Sequence, residues 1–325
     1  MNDFSPLAQQ VIAQTSAASA TGVPTRVLGR TKVRVPIIGI GGWHLGAIKE
    51  EVDAIRLMHA AIDEGLTFFD NAWDYQDGHA EEVMGKALAM DGRRDKVFLM
   101  TKNCNRDYDG SMKCLEDSLR RLQTDHLDLW QFHECNYDND PDWIFETGGY
   151  EAALEARRLG KVRFIGFTGH KDPRIHLNML SKPHDWDASQ MPINLMDTQY
   201  RSFLNQVVPQ CLERNVGIIG MKGLGGGWPD GRFLSDAGLT PEECYRFCLS
   251  LPVSVQVMGI NTIAQLKQDI RIVREFVPMT AAEMETALGR LKMVAGDGRH
   301  ELFKSTTDFD GPHHRIQHGF AVAAG

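Results

Sequence analysis

The feature that most limits what this chain can become is a rhythm: eight short apolar runs, each followed by a segment that can form a helix. The runs are Pro36 to Gly41, Thr67 to Phe69, Val97 to Thr101, Leu127 to Phe132, Val162 to Thr168, Ala188 to Gln190, Val216 to Met221 and Val253 to Met258. Near-continuous apolar strands are buried on both faces, as in a parallel sheet covered by helices. Between the first two runs, Ala54, Leu57, Met58, Ala61 and Ile62 make one apolar helical stripe. A second helix is expected from about Ala80 to Met90, and a third carries Met112, Leu115, Leu119 and Leu122 on one face. A fourth ends at Gly160, a fitting glycine just past a helix terminus. Pro241-Glu242-Glu243 opens the helix before the last strand, another follows Asn261-Thr262, and one more begins near Thr280.

An open doubly wound sheet competes with a closed barrel for this pattern. It would want Gly-x-Gly-x-x-Gly straight after an early strand. Gly39-Ile40-Gly41-Gly42 lacks the third glycine at that offset. The sequence therefore predicts an α/β fold, a (β/α)8 TIM barrel. Arg26 to Thr31 and Val33 to Val35 predict an N-terminal β-hairpin ahead of it. Residues 1–25 read as a flexible or loosely docked arm, 26–295 as the catalytic barrel, and 296–325 as a C-terminal tail placed to cover the pocket. A length of 325 residues suits one such barrel.

Composition removes several function classes. A net charge of −8 argues against non-specific binding to nucleic acid or an anionic membrane, though not against an anionic cofactor held by local backbone N–H groups. The six cysteines (Cys104, Cys114, Cys135, Cys211, Cys244, Cys248) show no disulfide or C-x-x-C spacing, which points to reduced thiols and a cytoplasmic location. No apolar run reaches membrane-spanning length. Ala17-Ala18-Ser19-Ala20 resembles a cleavage site, but no Lys or Arg precedes Arg26 and glutamines interrupt Leu7 to Ala13, so a secretory leader is not expected.

Chemistry gathers at the ends of three successive strands. Asp70 and Tyr75 lie in Phe68-Phe69-Asp70-Asn71-Ala72-Trp73-Asp74-Tyr75, Lys102 follows Thr101, and His133 follows Phe132. The steps from Asp70 to Lys102 to His133 are each about thirty residues, one strand-helix unit. Reducing a carbonyl by hydride needs a proton for the oxygen. A tyrosine hydroxyl supplies it readily only if its phenolate is stabilised, and a neighbouring ammonium would lower the phenol's pKa. Asp70 would keep Lys102 charged, and His133 would donate a hydrogen bond to the carbonyl oxygen. Taken singly, Asp70 could be a turn cap, Tyr75 a surface aromatic, Lys102 a surface charge and His133 a satisfied core histidine. Their joint placement favours the chemical reading.

These segments, with Glu81-Glu82-Val83-Met84-Gly85-Lys86-Ala87-Leu88, Thr101-Lys102-Asn103, Gln131-Phe132-His133 and Gly160-Lys161-Val162-Arg163-Phe164-Ile165-Gly166-Phe167, resemble the aldo-keto reductase superfamily over roughly Arg26 to Glu275. The resemblance implies NADPH or NADH as cofactor, with NADP preferred, and a small carbonyl substrate. Tyr75 would be general acid/base, Lys102 and Asp70 its modulators, and His133 the residue aligning substrate. It further implies that Thr168 and Gln190 hold the nicotinamide carboxamide and that Gly42 and Trp43 line the ribose. Gly223-Leu224-Gly225-Gly226-Gly227 would fold over the pyrophosphate, and Asn261, Gln265, Gln268 and Asp269 would surround the adenosine.

The chain departs from the family pattern at three places. Strand five ends Thr168-Gly169-His170 where the family often has Ser-Asn, so one carboxamide contact is either missing or supplied by His170, with Gly169 beside it among the cofactor-binding residues. Strand seven ends Met221-Lys222 where a stacking tyrosine is common, so Met221 would pack there as a polarisable surface. The last strand lacks basic residues for a 2′-phosphate, Lys267 being the nearest cation. Trp43, Trp73 and Trp228 are candidate walls of the substrate pocket. Cys104 and Cys135 could meet at the rim, where ordinary reduced thiols are the plainer reading; the His-rich segment Gly311 to His318 reads as a covering tail rather than a metal site, and no metal is expected. Two other functions compete: a nucleotide-binding redox-sensing or regulatory barrel with little turnover, and a metal-dependent hydrolase using His133, His170 and Asp70. The sequence leaves oligomeric state open.

Overall fold

In the computed structural model, which describes residues 5–15, 21–225, 232–291, 293–307 and 312–318, every expected apolar run contains a strand. β1 (Thr25–Val27) and β2 (Arg34–Pro36) pair antiparallel as the expected hairpin. β3 (Ile38–Gly41), β4 (Phe68–Asp70), β5 (Phe98–Asn103), β6 (Leu127–Phe132), β7 (Val162–Thr168), β8 (Ala188–Pro192), β9 (Gly217–Met221) and β10 (Val255–Met258) follow along the chain. These are parallel and form a closed barrel, in which β10 pairs with both β3 and β9. The strand ends differ from the apolar runs for physical reasons. Pro36 completes the hairpin instead of opening β3, and the Val253 carbonyl accepts from the Arg26 side chain at 2.7 Å before β10 starts. β5 continues through Asn103, so Lys102 lies within the strand and pairs with Gln131 of β6.

Alternate strand residues face opposite sides of a sheet. Phe68, Phe98, Met100, Leu129, Ala188, Ile219, Val255 and Val257 fill the barrel interior together with Leu28 and Val35 of the hairpin segment. Their neighbours Phe69, Leu99, Trp130, Ile165 and Ile218 face out and pack with the helices in the larger core. Phe68 and Phe98 stack inside at 5.1 Å between ring centroids. The hairpin closes the amino-terminal end of the barrel. Its buried Arg26 also donates to the Leu249 carbonyl at 2.6 Å.

The helices around the barrel start where the sequence supplies caps. Asp107 accepts from the Gly110 amide ahead of Tyr108–Arg121, and Thr240 with Glu243 forms a capping box at Pro241–Leu249. Both end segments carry helices. Ser5–Gln14 lies within the expected arm and has Val11 buried; Leu302–Ser305 and Pro312–Gln317 lie within the tail. Lys304 anchors the tail, buried and donating to Asp197 at 2.6 Å and Glu301 at 3.0 Å. All six cysteines are free and buried. Among the described residues no helix is long and apolar enough to cross a membrane.

Candidate active site

Strand parity decides which side chains reach the carboxyl mouth of the barrel. Phe68, Phe98, Ala188 and Ile219 face the interior, so Asp70, Lys102, Gln190 and Met221 rise on the same rows two or four residues later. Lys102 Nζ donates to Asp70 Oδ1 at 2.5 Å, to the Asn71 carbonyl at 2.6 Å and to Tyr75 Oη at 3.1 Å. An ammonium has only three protons to give, and each has a partner here. The Lys102 and Asp70 side chains are 1% and 5% exposed. Gln190 Nε2 donates to the other carboxylate oxygen of Asp70 at 3.2 Å, tying β8 into the same group.

Tyr75 is delivered by a turn rather than by a strand. The ladder first continues past β4, with the Asn71 amide on the Met100 carbonyl at 3.0 Å and the Trp73 amide on that of Lys102 at 3.3 Å. The backbone then reverses through Gln76 (φ 47°), Asp77 (φ 55°) and Gly78 (φ 94°), all left-handed. Such a run is costly away from glycine and tends to be kept at functional sites. The expectation that Lys102 would depress the phenol's pKa is corrected by this environment. Burial raises the Tyr75 hydroxyl well above its ordinary value, and the charges of Asp70 and Asp74 add to the rise. Tyr75 is therefore held as a protonated phenol, with the ammonium in position to stabilise the phenolate left after proton transfer.

His133 directly follows β6, its amide donating to the Asn103 carbonyl at 2.8 Å. Its Nδ1 is 3.0 Å from Asp74 Oδ1 and 3.4 Å from Cys104 Sγ. The ring lies edge-on to Tyr75, with centroids 5.5 Å apart. Burial pulls the imidazole below its ordinary range even though Asp74 pulls the other way. Asp74 moves down as well: burial would raise it, but its interactions with His133 and the Cys104 thiol outweigh that. Behind this pair, Arg106 Nη2 donates to the His133 carbonyl at 2.6 Å, its Nε donates to Asp140 at 3.0 Å, and His318 Nε2 lies 3.2 Å from Nη2.

The residues expected to meet a cofactor occupy the same rim unevenly. Thr168 and His170 are buried, His170 Nε2 lying 3.3 Å from Asn136 Nδ2. Gly169 is close-packed, since a Cβ there would fall 2.5 Å from the Cys135 carbonyl oxygen. Gln190 Oε1 is buried without a hydrogen-bond partner, an open acceptor beside Asp70. Gly42 is also pressed against its neighbours, a Cβ meeting Asn71 at 2.7 Å. Met221 ends β9, and Lys222 follows with φ 57°. Gly223, Leu224 and Gly225 make a turn closed by the Gly225 amide on the Lys222 carbonyl at 2.8 Å. Gly226 and Gly227 lie outside the described residues. Asn261, Gln265 and Gln268 are exposed, and the Asn261 amide donates to Gln265 Oε1 at 2.8 Å. Asp269 instead turns inward, and burial pushes its carboxyl up to about 7.

The sequence profile of the aldo/keto reductase family matches residues 37–248. The chain belongs to that family. It is 35% identical over 200 residues to the aldo-keto reductase YhdN of Bacillus subtilis, spanning 57% of each chain. It is 30% identical over 247 residues to the aldo-keto reductase yakc [NADP(+)] of Schizosaccharomyces pombe, covering 69% of this chain and 67% of that one. In three dimensions it matches an aldo-keto reductase from Bacillus halodurans in its holo form with a TM-score of 0.71 at 26% identity, over 85% of this chain and 99% of that one. The protein is accordingly an oxidoreductase built on the (β/α)8 barrel.

In this aldo-keto reductase, the three tryptophans expected at the pocket have different positions. Trp43 is 53% exposed and meets the Tyr75 ring edge-on at 5.3 Å, at the mouth of the site. Trp73 turns away toward the helix Tyr108–Arg121, where Arg121 lies over its ring at 5.4 Å. Trp228 lies outside the described residues. Cys104 and Cys135 serve different partners, His133 and the Phe132 carbonyl. Reading the sequence missed Asp74 and Arg106. Asp74 had a signal, since it directly precedes Tyr75 and must enter the site with it. Arg106 had none, because only the fold brings it under the His133 carbonyl.

Proposed function

We propose that this aldo-keto reductase reduces small aldehydes or ketones to alcohols by direct hydride transfer, using NADPH in preference to NADH, with Tyr75 as proton donor. One observation carries the reading: Lys102 Nζ touches both Asp70, at 2.5 Å, and the Tyr75 hydroxyl, at 3.1 Å, at the open end of the barrel. The cofactor preference is supported by the yeast relative whose name specifies NADP(+). The rim suits such a nucleotide. Gln190 Oε1 offers an acceptor to a carboxamide, and the Gly223–Gly225 turn allows close backbone approach to phosphate. Residues 26–295 form the catalytic unit in this reading, with 296–325 as its cover.

When bound, the reduced nicotinamide supplies a hydride to the carbonyl carbon. The protein handles the oxygen. Tyr75 gives its proton as negative charge develops there, and Lys102 steadies the resulting phenolate while Asp70 balances the ammonium. His133 and Trp43 pack edge-on to the Tyr75 ring and set the approach of the carbonyl group.

The test is consumption of NADPH with a panel of small aldehydes, followed by absorbance with chelator present. Tyr75→Phe keeps nucleotide binding by fluorescence quenching but lowers kcat/KM by about 100- to 10,000-fold. Tight nucleotide binding without turnover of any carbonyl, or activity abolished by the chelator, would overturn the proposal.

A further inference from the structure

We propose that Asp74, Cys104 and His133 form a binding site for one divalent ion of the zinc type, held by Asp74 Oδ1, Cys104 Sγ and His133 Nδ1. The function proposed above needs no metal, so this site is an addition to it. The ligands come from three separate places: the turn after β4, the residue directly after β5 and the residue directly after β6. Steps of about thirty residues between ligands form no recognisable metal motif, which is why the sequence alone does not announce the site. The three ligand atoms nevertheless all lie within 4.8 Å of one another. Nδ1 is 3.0 Å from Asp74 Oδ1 and 3.4 Å from Cys104 Sγ. Around a tetrahedral zinc ion, with bonds of about 2.0–2.3 Å, such pairs stand about 3.4 Å and about 3.6 Å apart. Seating the ion therefore needs these atoms to part by only a few tenths of an ångström.

A second observation points to a ligand. Asp74 Oδ1 is buried without a hydrogen-bond partner, on a side chain only 9% exposed, and it is aimed at the ring nitrogen. A buried carboxylate oxygen left idle is costly, and a cation answers it. The donor set selects which cation. Magnesium and calcium take oxygen ligands, whereas a thiolate and an imidazole beside one carboxylate suit zinc. On binding, the Cys104 S–H bond breaks, its proton leaves to solvent and a sulfur–metal bond forms. The thiolate and the Asp74 carboxylate then match the two positive charges of the ion, and no electron moves. Three protein ligands leave a tetrahedral ion one further position, for water.

The experiment adds Co2+ to the full chain, stripped of metal by chelator and kept reduced and free of oxygen. One equivalent should bind and give the intense near-ultraviolet absorption of a thiolate–cobalt bond, which Zn2+ should bleach and excess Mg2+ should leave. Cys104→Ser should abolish that absorption, whereas Cys135→Ser, which alters a thiol donating to the Phe132 carbonyl, should keep it. Asp74→Asn should weaken Co2+ binding by about 10-fold or more, at least what the loss of an outer partner of a metal site brings. X-ray absorption of the wild-type protein loaded with one equivalent of Zn2+ should show one sulfur at about 2.3 Å among lighter neighbours at about 2.0–2.2 Å. A shell of nitrogen and oxygen alone, as the histidines between Gly311 and His318 would supply, or cobalt absorption that survives Cys104→Ser, would overturn the inference. The wild-type zinc spectrum decides even if a variant fails to fold. Zinc held through one sulfur in a protein that reduces no carbonyl would uphold the site and refute the proposed function. Carbonyl turnover with zinc on nitrogen and oxygen alone would do the reverse.

Discussion

At the scale of single residues, the site is governed by how completely each buried charge is matched. Lys102 spends all three protons on Asp70, Asn71 and Tyr75, so no partner can be deleted cheaply. Asp70→Ala leaves an ammonium buried beside an unpaired Gln190. We expect it to lose about 3–5 kcal/mol of stability by chemical denaturation as well as activity, because a broken buried pair costs more than its attraction suggests. Asp140 is a second case. Burial would raise it, but Arg106 and His318 hold it down to about 2. Its folded value is depressed, so its contribution is complete above the unfolded carboxylate range and disappears as pH falls through about 2. Asp140→Asn should flatten the most acidic limb of a stability–pH curve, a prediction read by denaturant titration between about pH 1.5 and 5. Asp70, Lys102 and His133 were legible in the sequence because strand parity alone brings them together. The protonation of Tyr75 was not. It depends on burial and on the sum of several carboxylates, including Asp74 and Glu134, that only the folded rim assembles.

At the scale of elements, strands were readable and their ends were not. Apolar runs mark the buried part of each strand, but pairing continues wherever a neighbour supplies partners, as in β5 through Lys102 and Asn103. The turn after β4 was least readable, because Gln76 and Asp77 adopt left-handed conformations that their residue types do not announce. Only Gly78 has the expected type, and there the position is exacting: a Cβ would lie 2.3 Å from Arg121 Cζ. Arg121 in turn donates to the Trp73 carbonyl at 2.8 Å and to Glu81 at 3.3 Å. Gly78→Ala should therefore both strain the backbone and push Arg121 off the turn that carries Tyr75. We expect a loss of about 1–3 kcal/mol in thermal unfolding, with kcat falling more than nucleotide affinity.

At the scale of the whole molecule, the two ends of the chain are joined to the barrel by polar residues. His318 sits against Arg106, which holds the carbonyl of His133, and burial brings its imidazole down to about 4. The folded value lies below the unfolded one of about 6.5, so docking of the tail is strongest above that pH and weakens as pH falls toward 4. The linkage amounts to about 3 kcal/mol. Proteolysis beyond Ser305 should accelerate between about pH 6.5 and 4, and His318→Phe should remove that dependence. That the segment after Ser305 would contact Arg106 was not legible, since Arg106 and His318 are far apart in sequence and only the fold brings them together. At the opposite end, Leu28 and Val35 stopper the barrel floor and Arg26 bolts that hairpin to Leu249 and Val253. Among the described residues the floor is filled and the candidate site lies at the opposite end, so in the proposed reaction both reactants approach from that end. Whichever one must lie deeper has to enter first and depart last, so the architecture itself imposes a queue that product-inhibition patterns would record.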